Sequence, residues 1–142
     1  MSDEYSSLEA KIHSVLSGNH PGFDGDISPR VPAAVLIPFV HTNNEWHLLF
    51  TKRTNGVAKH RGEISFPGGG AEDEDADLIQ TAIREACEEI GLCEESIHVI
   101  GVMESVQTVS NYCILPVIGT IKSPLELRLN PIEVENTLLI PV

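Results

Sequence analysis

Arg84-Glu85 and Glu88-Glu89 bring three carboxylates and a guanidinium into one short stretch. Carboxylates at this spacing can hold a hard divalent cation such as Mg²⁺, which takes oxygen ligands. With helical residues about 100° apart and Glu85 at zero, Glu88 falls at about −60° and Glu89 at about +40°. All three then share one face. Ile79, Ile83, Ala86, Cys87 and Ile90 fall at roughly 100° to 200°, the face that would pack on a core. Three glutamates alone are usually just a solvated helix face. Their context favours chemistry. A glycine run at Gly68 reads as a strand-to-helix turn, an acidic loop follows, and Gly91 closes the helix. Glycines there let backbone come close to a metal.

The stretch Gly68 to Leu92 resembles the Nudix box, G-x5-E-x7-R-E-U-x-E-E-x-G-U with U apolar. Arg84, Glu85, Glu88, Glu89, Gly91 and Leu92 match its second half in spacing, and Ala86 stands at the first U. The first half departs. Counting back from Arg84 gives Gly70 and puts Ala76 where a glutamate is expected. Counting forward from Phe66-Pro67-Gly68-Gly69 pairs Gly69 with Asp75 and leaves one extra residue before Arg84. That extra residue resembles the coenzyme A pyrophosphatase branch.

The preceding LLFTKRTNGVAKHRGEISFPGG is similar to that branch's L-L-T-x-R-[SA]-x3-R-x3-G-x3-F-P-G-G. Thr51, Arg53, Gly62, Phe66, Pro67, Gly68 and Gly69 fall in register. Phe50 interrupts the leucine pair, Thr54 replaces a Ser or Ala, and Ala58 replaces an arginine. Further on, Thr108, Asn111-Tyr112, Pro116-Val117-Ile118-Gly119 and Asn130-Pro131-Ile132-Glu133-Val134 follow the branch's order.

The resemblance implies an α/β (α+β) fold, an α/β/α sandwich around a mixed sheet. It implies Mg²⁺, with Mn²⁺ as a substitute, held by Glu85, Glu88 and Glu89 with the Gly69 carbonyl. One box glutamate or a distant acid would take a proton from water, and Glu133 is the distant candidate. Glu63 would stand close behind the site. Arg84 would orient a box glutamate, because a planar fork suits fixed carboxylates. Arg53, Lys59, Arg61, Gly68 and Gly69 would meet the substrate. That substrate would be coenzyme A or acyl-coenzyme A, cleaved to 3′,5′-ADP and (acyl-)4′-phosphopantetheine. Two alternatives stand beside it: hydrolysis of another nucleotide diphosphate (ADP-ribose, a dinucleotide, a nucleoside triphosphate), and a non-catalytic nucleotide-binding module.

These residues need elements to hold them. Ser6-Ser7-Leu8-Glu9 reads as a capping box, with Leu8, Ile12, Val15 and Leu16 as a helical stripe that Gly18 ends. Residues 19–32 read as a loop, so residues 1–30 form a helix and loop ahead of a Nudix domain over 31–142. Ala33 to His41 is a buried strand, Thr42-Asn43-Asn44 a turn, and Trp46 to Arg53 a second strand. Ile97 to Val106 and Tyr112 to Lys122 are further strands joined by Gln107 to Asn111, and Leu138 to Ile140 begins another. Relatives usually continue past this point. The chain therefore reads as a short natural form or a truncation, in which a missing helix would leave one sheet face poorly covered and put stability or dimerisation in question, with a homodimer among the expected partners.

The 142 residues fit one domain with a real core, and no apolar run nears the roughly 20 residues a membrane helix needs. Residues 1–18 mix charge and serine, unlike a secretory signal. A net charge of −12 disfavours nucleic acid. The partner that the resemblance implies is a small nucleotide, approached by local cations at Lys52, Arg53, Lys59, His60 and Arg61. The remaining histidines read as structural or solvated. Cys87, Cys93 and Cys113 read as small buried apolar residues in a reducing, cytoplasmic setting.

Overall fold

The computed structural model describes Leu8, Ala10, residues 30–55 and residues 62–142. Leu8 and Ala10 are helical. The rest of the expected N-terminal helix lies outside the described residues, as do Ala58, Lys59, His60 and Arg61.

Among the described residues eight strands form one mixed sheet: β1 (Val31–Thr42), β2 (Glu45–Arg53), β3 (Ile64–Ser65), β4 (Gly68–Gly70), β5 (Ile97–Val102), β6 (Val106–Gln107), β7 (Tyr112–Ile121) and β8 (Val134–Pro141). The path runs β3-β2-β1-β7-β5. β1 and β7 are parallel from Val31↔Tyr112 to Val40↔Ile121, and the other pairs are antiparallel. The second edge of β1 is shared. β2 takes Phe39 to Thr42, and β4 takes Ala33 to Val35. The β1–β2 hairpin turns at Asn43 and Asn44, with φ of 52° and 62°. Asparagine tolerates that left-handed conformation better than most residues.

Alternation along β1 decides the layers. Ala34, Leu36 and Val40 face a helix, α1 (Leu78–Ile90), and share a core with its Ala82, Ile83, Ala86 and Ile90. Ile37 and Phe39 point the other way and meet Ile100, Ile118 and Leu8. α1 starts at Asp77, whose side chain accepts from the Gln80 N–H at 2.8 Å. It stops at Gly91, φ 73°, where the Gly91 N–H bonds the Cys87 carbonyl and the Leu92 N–H bonds the Ala86 carbonyl.

Three expectations change. The glycine run is not a turn but the strand β4, laid against β1. A Cβ on Gly68 would sit 2.3 Å from the Ala34 carbonyl oxygen, so close approach is what selects glycine there. The expected strand over 97–106 divides into β5 and β6, with residues 103–105 exposed between them. The third concerns sulfur. Cys87 and Cys93 are joined in a disulfide, Cα–Cα 4.4 Å, across the helix end, and Cys113 alone is free. The reading of all three as reduced apolar residues is therefore wrong for two of them. Only folding back at Gly91 brings Cys93 beside Cys87.

Candidate active site

Arg84 organises the site. Its Nε and Nη2 donate to the two oxygens of Asp75 at 2.8 and 3.0 Å. Nη2 also donates to the Gly70 carbonyl at 3.0 Å. Nη1 reaches Glu85 at 3.1 Å and Glu88 at 3.2 Å. One guanidinium thus ties the acidic loop, the end of β4 and the helix together. Asp75 also accepts from the Glu72 N–H at 2.9 Å and the Thr81 hydroxyl at 2.8 Å. Its carboxyl is held well below the usual range, first by the Arg84 hydrogen bonds and then by the Glu72 N–H. Arg84 in turn is locked in its charged form, chiefly by Asp75.

This geometry decides between the two countings. Asp75 meets Arg84, while Ala76 is exposed. The extra residue of the motif is taken up in the loop between Asp75 and the helix. Asp75 was absent from the sequence-derived candidates, although the forward count from Gly69 points to it.

Glu85 and Glu89 lie side by side on α1, and Glu89 donates a hydrogen bond to the Glu85 carboxylate. Two carboxyls can do this only while one keeps its proton. Burial, and then the Glu85 charge, push Glu89 up to about 8. Burial also raises Glu85, with Glu89 and Arg84 pulling the other way. The Gly68 N–H bonds Glu89, and the charge of Glu133 reaches it too. Glu133 lies on the loop before β8. Glu88 differs: its side chain is 55 % exposed and turned to Arg84.

Gly69 lies directly against the pair. A Cβ there would come within 2.7 Å of the Glu85 carboxyl carbon and Oε1. Replacing Gly69 by Ala should therefore push the Glu85 side chain aside while the fold survives, since a flexible carboxylate can yield. Activity should fall about 10²-fold, as for a misplaced reacting group. Gly68→Ala should instead destabilise the protein by ~1–3 kcal/mol, because its new Cβ meets β1 backbone, which cannot yield. Parallel melting curves and turnover assays separate the two. Equal melting points with full activity in Gly69→Ala would remove the close-approach argument.

Among the described residues no three acidic, histidine or cysteine side chains already form a cation cage. The donors nonetheless suit a hard cation. Glu89 is buried and Glu85 half-buried, and the pair faces a glycine where any side chain would intrude. A divalent ion can replace the Glu89 proton.

The other expected residues are placed as follows. Arg53 ends β2, pairs with Val134, and has a buried Nε with no partner among the described residues. Its neighbour Thr54 bonds the Glu133 carbonyl at 3.0 Å, so Arg53 stands beside the Glu133 loop. Glu63 bonds the Arg53 N–H through its carbonyl. Lys52 pairs with Glu135 at 3.4 Å. Lys59 and Arg61 lie outside the described residues. A cavity of about 330 Å³ at Glu104, Ser105, Gln107 and Cys113 involves none of the carboxylates just described.

A mixed sheet with a glycine-strand, acidic loop and glutamate-bearing helix defines an α+β fold of the Nudix kind. The NUDIX domain model matches residues 29–121, and the chain belongs to that family. It is similar to the uncharacterised Nudix hydrolase NudL of Citrobacter koseri, 38% identical over 122 residues, covering 86% of this chain and 63% of that protein. NudL of Cronobacter sakazakii is 41% identical over 110 residues, covering 78% and 57%. The chain thus spans less than two thirds of those relatives. In fold it is similar to a C. elegans Ap4A hydrolase in a binary complex, with TM-score 0.65, 19% identity, and 76% and 78% of the two chains covered. The Nudix domain of Shewanella oneidensis NrtR, solved with ADP ribose, has TM-score 0.60 at 15% identity, with 92% and 82% covered.

Proposed function

We propose that this chain hydrolyses the phosphoric anhydride of a nucleoside diphosphate derivative, with coenzyme A or acyl-coenzyme A as its substrate. The observation that carries the reaction is the pair of the buried Glu89 and half-buried Glu85 against Gly69, an acidic site built where backbone can come close. The branch motifs quoted above support the substrate.

Glu85 and Glu89, with the Gly69 carbonyl, would hold Mg²⁺ or Mn²⁺, and Glu88 would hold it through its outer edge. The bound ion would neutralise diphosphate charge and acidify water. Glu133 accepts the proton as water attacks phosphorus and the P–O–P bond breaks. Arg84 keeps Glu85 in place from behind, because Asp75 occupies most of its fork. Arg53, whose buried Nε has no partner among the described residues, meets a substrate phosphate, and Lys59 and Arg61 assist. Water is consumed, and 3′,5′-ADP and (acyl-)4′-phosphopantetheine are released.

Turnover with Mg²⁺ on coenzyme A, acetyl-coenzyme A, ADP-ribose, NADH, a diadenosine polyphosphate and a nucleoside triphosphate tests this. The expected result is 3′,5′-ADP from the first two and little elsewhere. Cleavage of another compound alone would keep the chemistry and discard the substrate. Silence throughout would favour a binding module.

No helix among the described residues is long and apolar enough to cross a membrane. A cytoplasmic site of action belongs to the same proposal, with the Cys87–Cys93 bond as its check. Disulfides are rare in that compartment, so Cys87 and Cys93 recovered as free thiols from rapidly alkylated cells would support it, and a retained disulfide would count against it. A homodimer is also part of the reading, for which the exposed Leu139, Ile140 and Val142 offer apolar surface.

A further inference from the structure

We infer that Asn130, together with Thr54, is a positioning residue that presents Glu133 to the Glu85–Glu89 pair. This rests on the reading of Glu133 as the acid that serves the reaction, and it goes further by naming what aims that acid.

Glu133 sits in a loop, and a glutamate on a loop has no fixed direction unless its backbone is held. The preceding segment is an extended strap. Leu125, Leu127 and Leu129 pack on the core, while Glu126 and Arg128 alternate with them. The strap docks on the end of α1. The Arg128 N–H bonds the Ile90 carbonyl and the Asn130 N–H bonds the Glu89 carbonyl, both at 2.8 Å. These are carbonyls that a helix end cannot satisfy by itself. Asn130 is thus fastened to the backbone of Glu89, one of the residues Glu133 must reach.

From Asn130 onward every available donor returns to the same residue. Its side-chain Oδ1 accepts the Ile132 N–H at 3.1 Å. Its carbonyl accepts the Glu133 N–H at 3.1 Å and the Val134 N–H at 2.8 Å. Pro131 has no N–H to place. The acceptor side of the turn is held by Thr54. Its N–H bonds the Glu133 carbonyl at 3.0 Å, and its hydroxyl bonds the Ile132 carbonyl at 2.7 Å. Donors of the turn end on Asn130 and two of its carbonyls end on Thr54. The Thr54 hydroxyl has this task in a place where the related pattern carries Ser or Ala. Thr54 also follows Arg53, so one clamp sets the spacing between Glu133 and the proposed phosphate contact.

The test compares wild type with Asn130→Ala, Asn130→Asp, Thr54→Val, Thr54→Ser and Glu133→Gln. All are assayed on the panel compound that the wild type turns over, coenzyme A first. Amide hydrogen exchange at Ile132, Glu133 and Val134 is followed without substrate. Asn130→Ala and Thr54→Val should lower kcat about 10²-fold by misaiming the carboxylate, with KM within about twofold because binding contacts remain. Their turn amides should exchange faster. Asn130→Asp keeps the Oδ1 acceptor and Thr54→Ser keeps the hydroxyl, so both should stay near wild type. Faster exchange with wild-type kcat in Asn130→Ala and Thr54→Val would overturn the proposal, since the clamp would be structural only. If Asn130→Ala does not fold, the Thr54 pair decides by the same criteria. A fully active Glu133→Gln would instead remove the reading of Glu133 on which the proposal rests. No turnover by the wild type would end both.

Discussion

Replacing Glu89 by Gln should cut kcat by roughly 10²–10⁴-fold, the range for losing a positioned acid–base group, and at alkaline pH should raise the melting temperature of the metal-free protein. The two effects share one cause. Glu89 is buried beside Glu85, and its carboxyl is pushed up to about 8 from 4.5, first by burial and then by the Glu85 charge. A carboxyl raised in the folded state binds its proton more tightly there than when unfolded. Stability is therefore complete below the unfolded value and falls as pH rises toward the folded one. Between about pH 4.5 and 8 the wild type without metal should lose stability as pH rises. The amide introduced by Glu89→Gln carries no charge, so that part of the slope should disappear. Mg²⁺ should also flatten the slope in the wild type, by taking the place of the proton, and should do less in the variant. Melting curves at several pH values, with and without Mg²⁺, read all of this. Identical slopes in the two proteins would sink the assignment of Glu89 to a buried pair.

The second large effect is expected at Asp75. It accepts two arms of Arg84, and the remaining arm holds Glu85 and Glu88. In Asp75→Asn the fork faces an amide that can offer it only one oxygen. Arg84 then shifts toward the helix glutamates, and Glu85 is drawn away from Glu89. A fall in kcat/KM of about 10–10²-fold is expected from such displacement. Ala76→Glu, which restores a glutamate at the position counted back from Arg84, should change little, because Ala76 is exposed. The pair of variants tests the register directly; a strong effect at Ala76 and none at Asp75 would refute it. Asp75 also carries an acid signature. Its carboxyl lies well below its usual value in the folded state, mainly through Arg84, so its stabilisation is present above about pH 4 and is lost as pH falls. Asp75→Asn should lack that acid-side loss.

What the linear chain determined was what depends on short-range spacing. The faces of α1 follow from about 100° per residue, and Ile83, Ala86 and Ile90 are indeed buried while Glu88 is exposed. β1 was legible as a long apolar run, since a strand buried on both faces is apolar along its length, and β2 as the strand that returns after the turn at Thr42-Asn43-Asn44. Gly91 was legible as a helix end because only a left-handed residue closes it without strain.

Tertiary structure decided whatever depends on distant segments meeting. The glycine run looked like a turn because glycine favours turns locally. It is a strand because it pairs with β1, and at Gly68 and Gly69 β1 and the Glu85 carboxylate leave no room for a side chain. Asp75 rather than Ala76 meets Arg84, since the loop between them absorbs one residue that counting cannot place. The Cys87–Cys93 bond needs the chain to fold back at Gly91. Spacing also suggested three equivalent helix glutamates. Packing buries Glu89, half-buries Glu85 and leaves Glu88 exposed, with Arg84 bonded to the last two. Glu133 entered only through resemblance, and what brings it to Glu89 is a strap whose hydrogen bonds end on the carbonyls of α1. Spacing along a helix is a property of the local backbone. Burial, and with it the protonation of a carboxylate, is a property of everything that surrounds it.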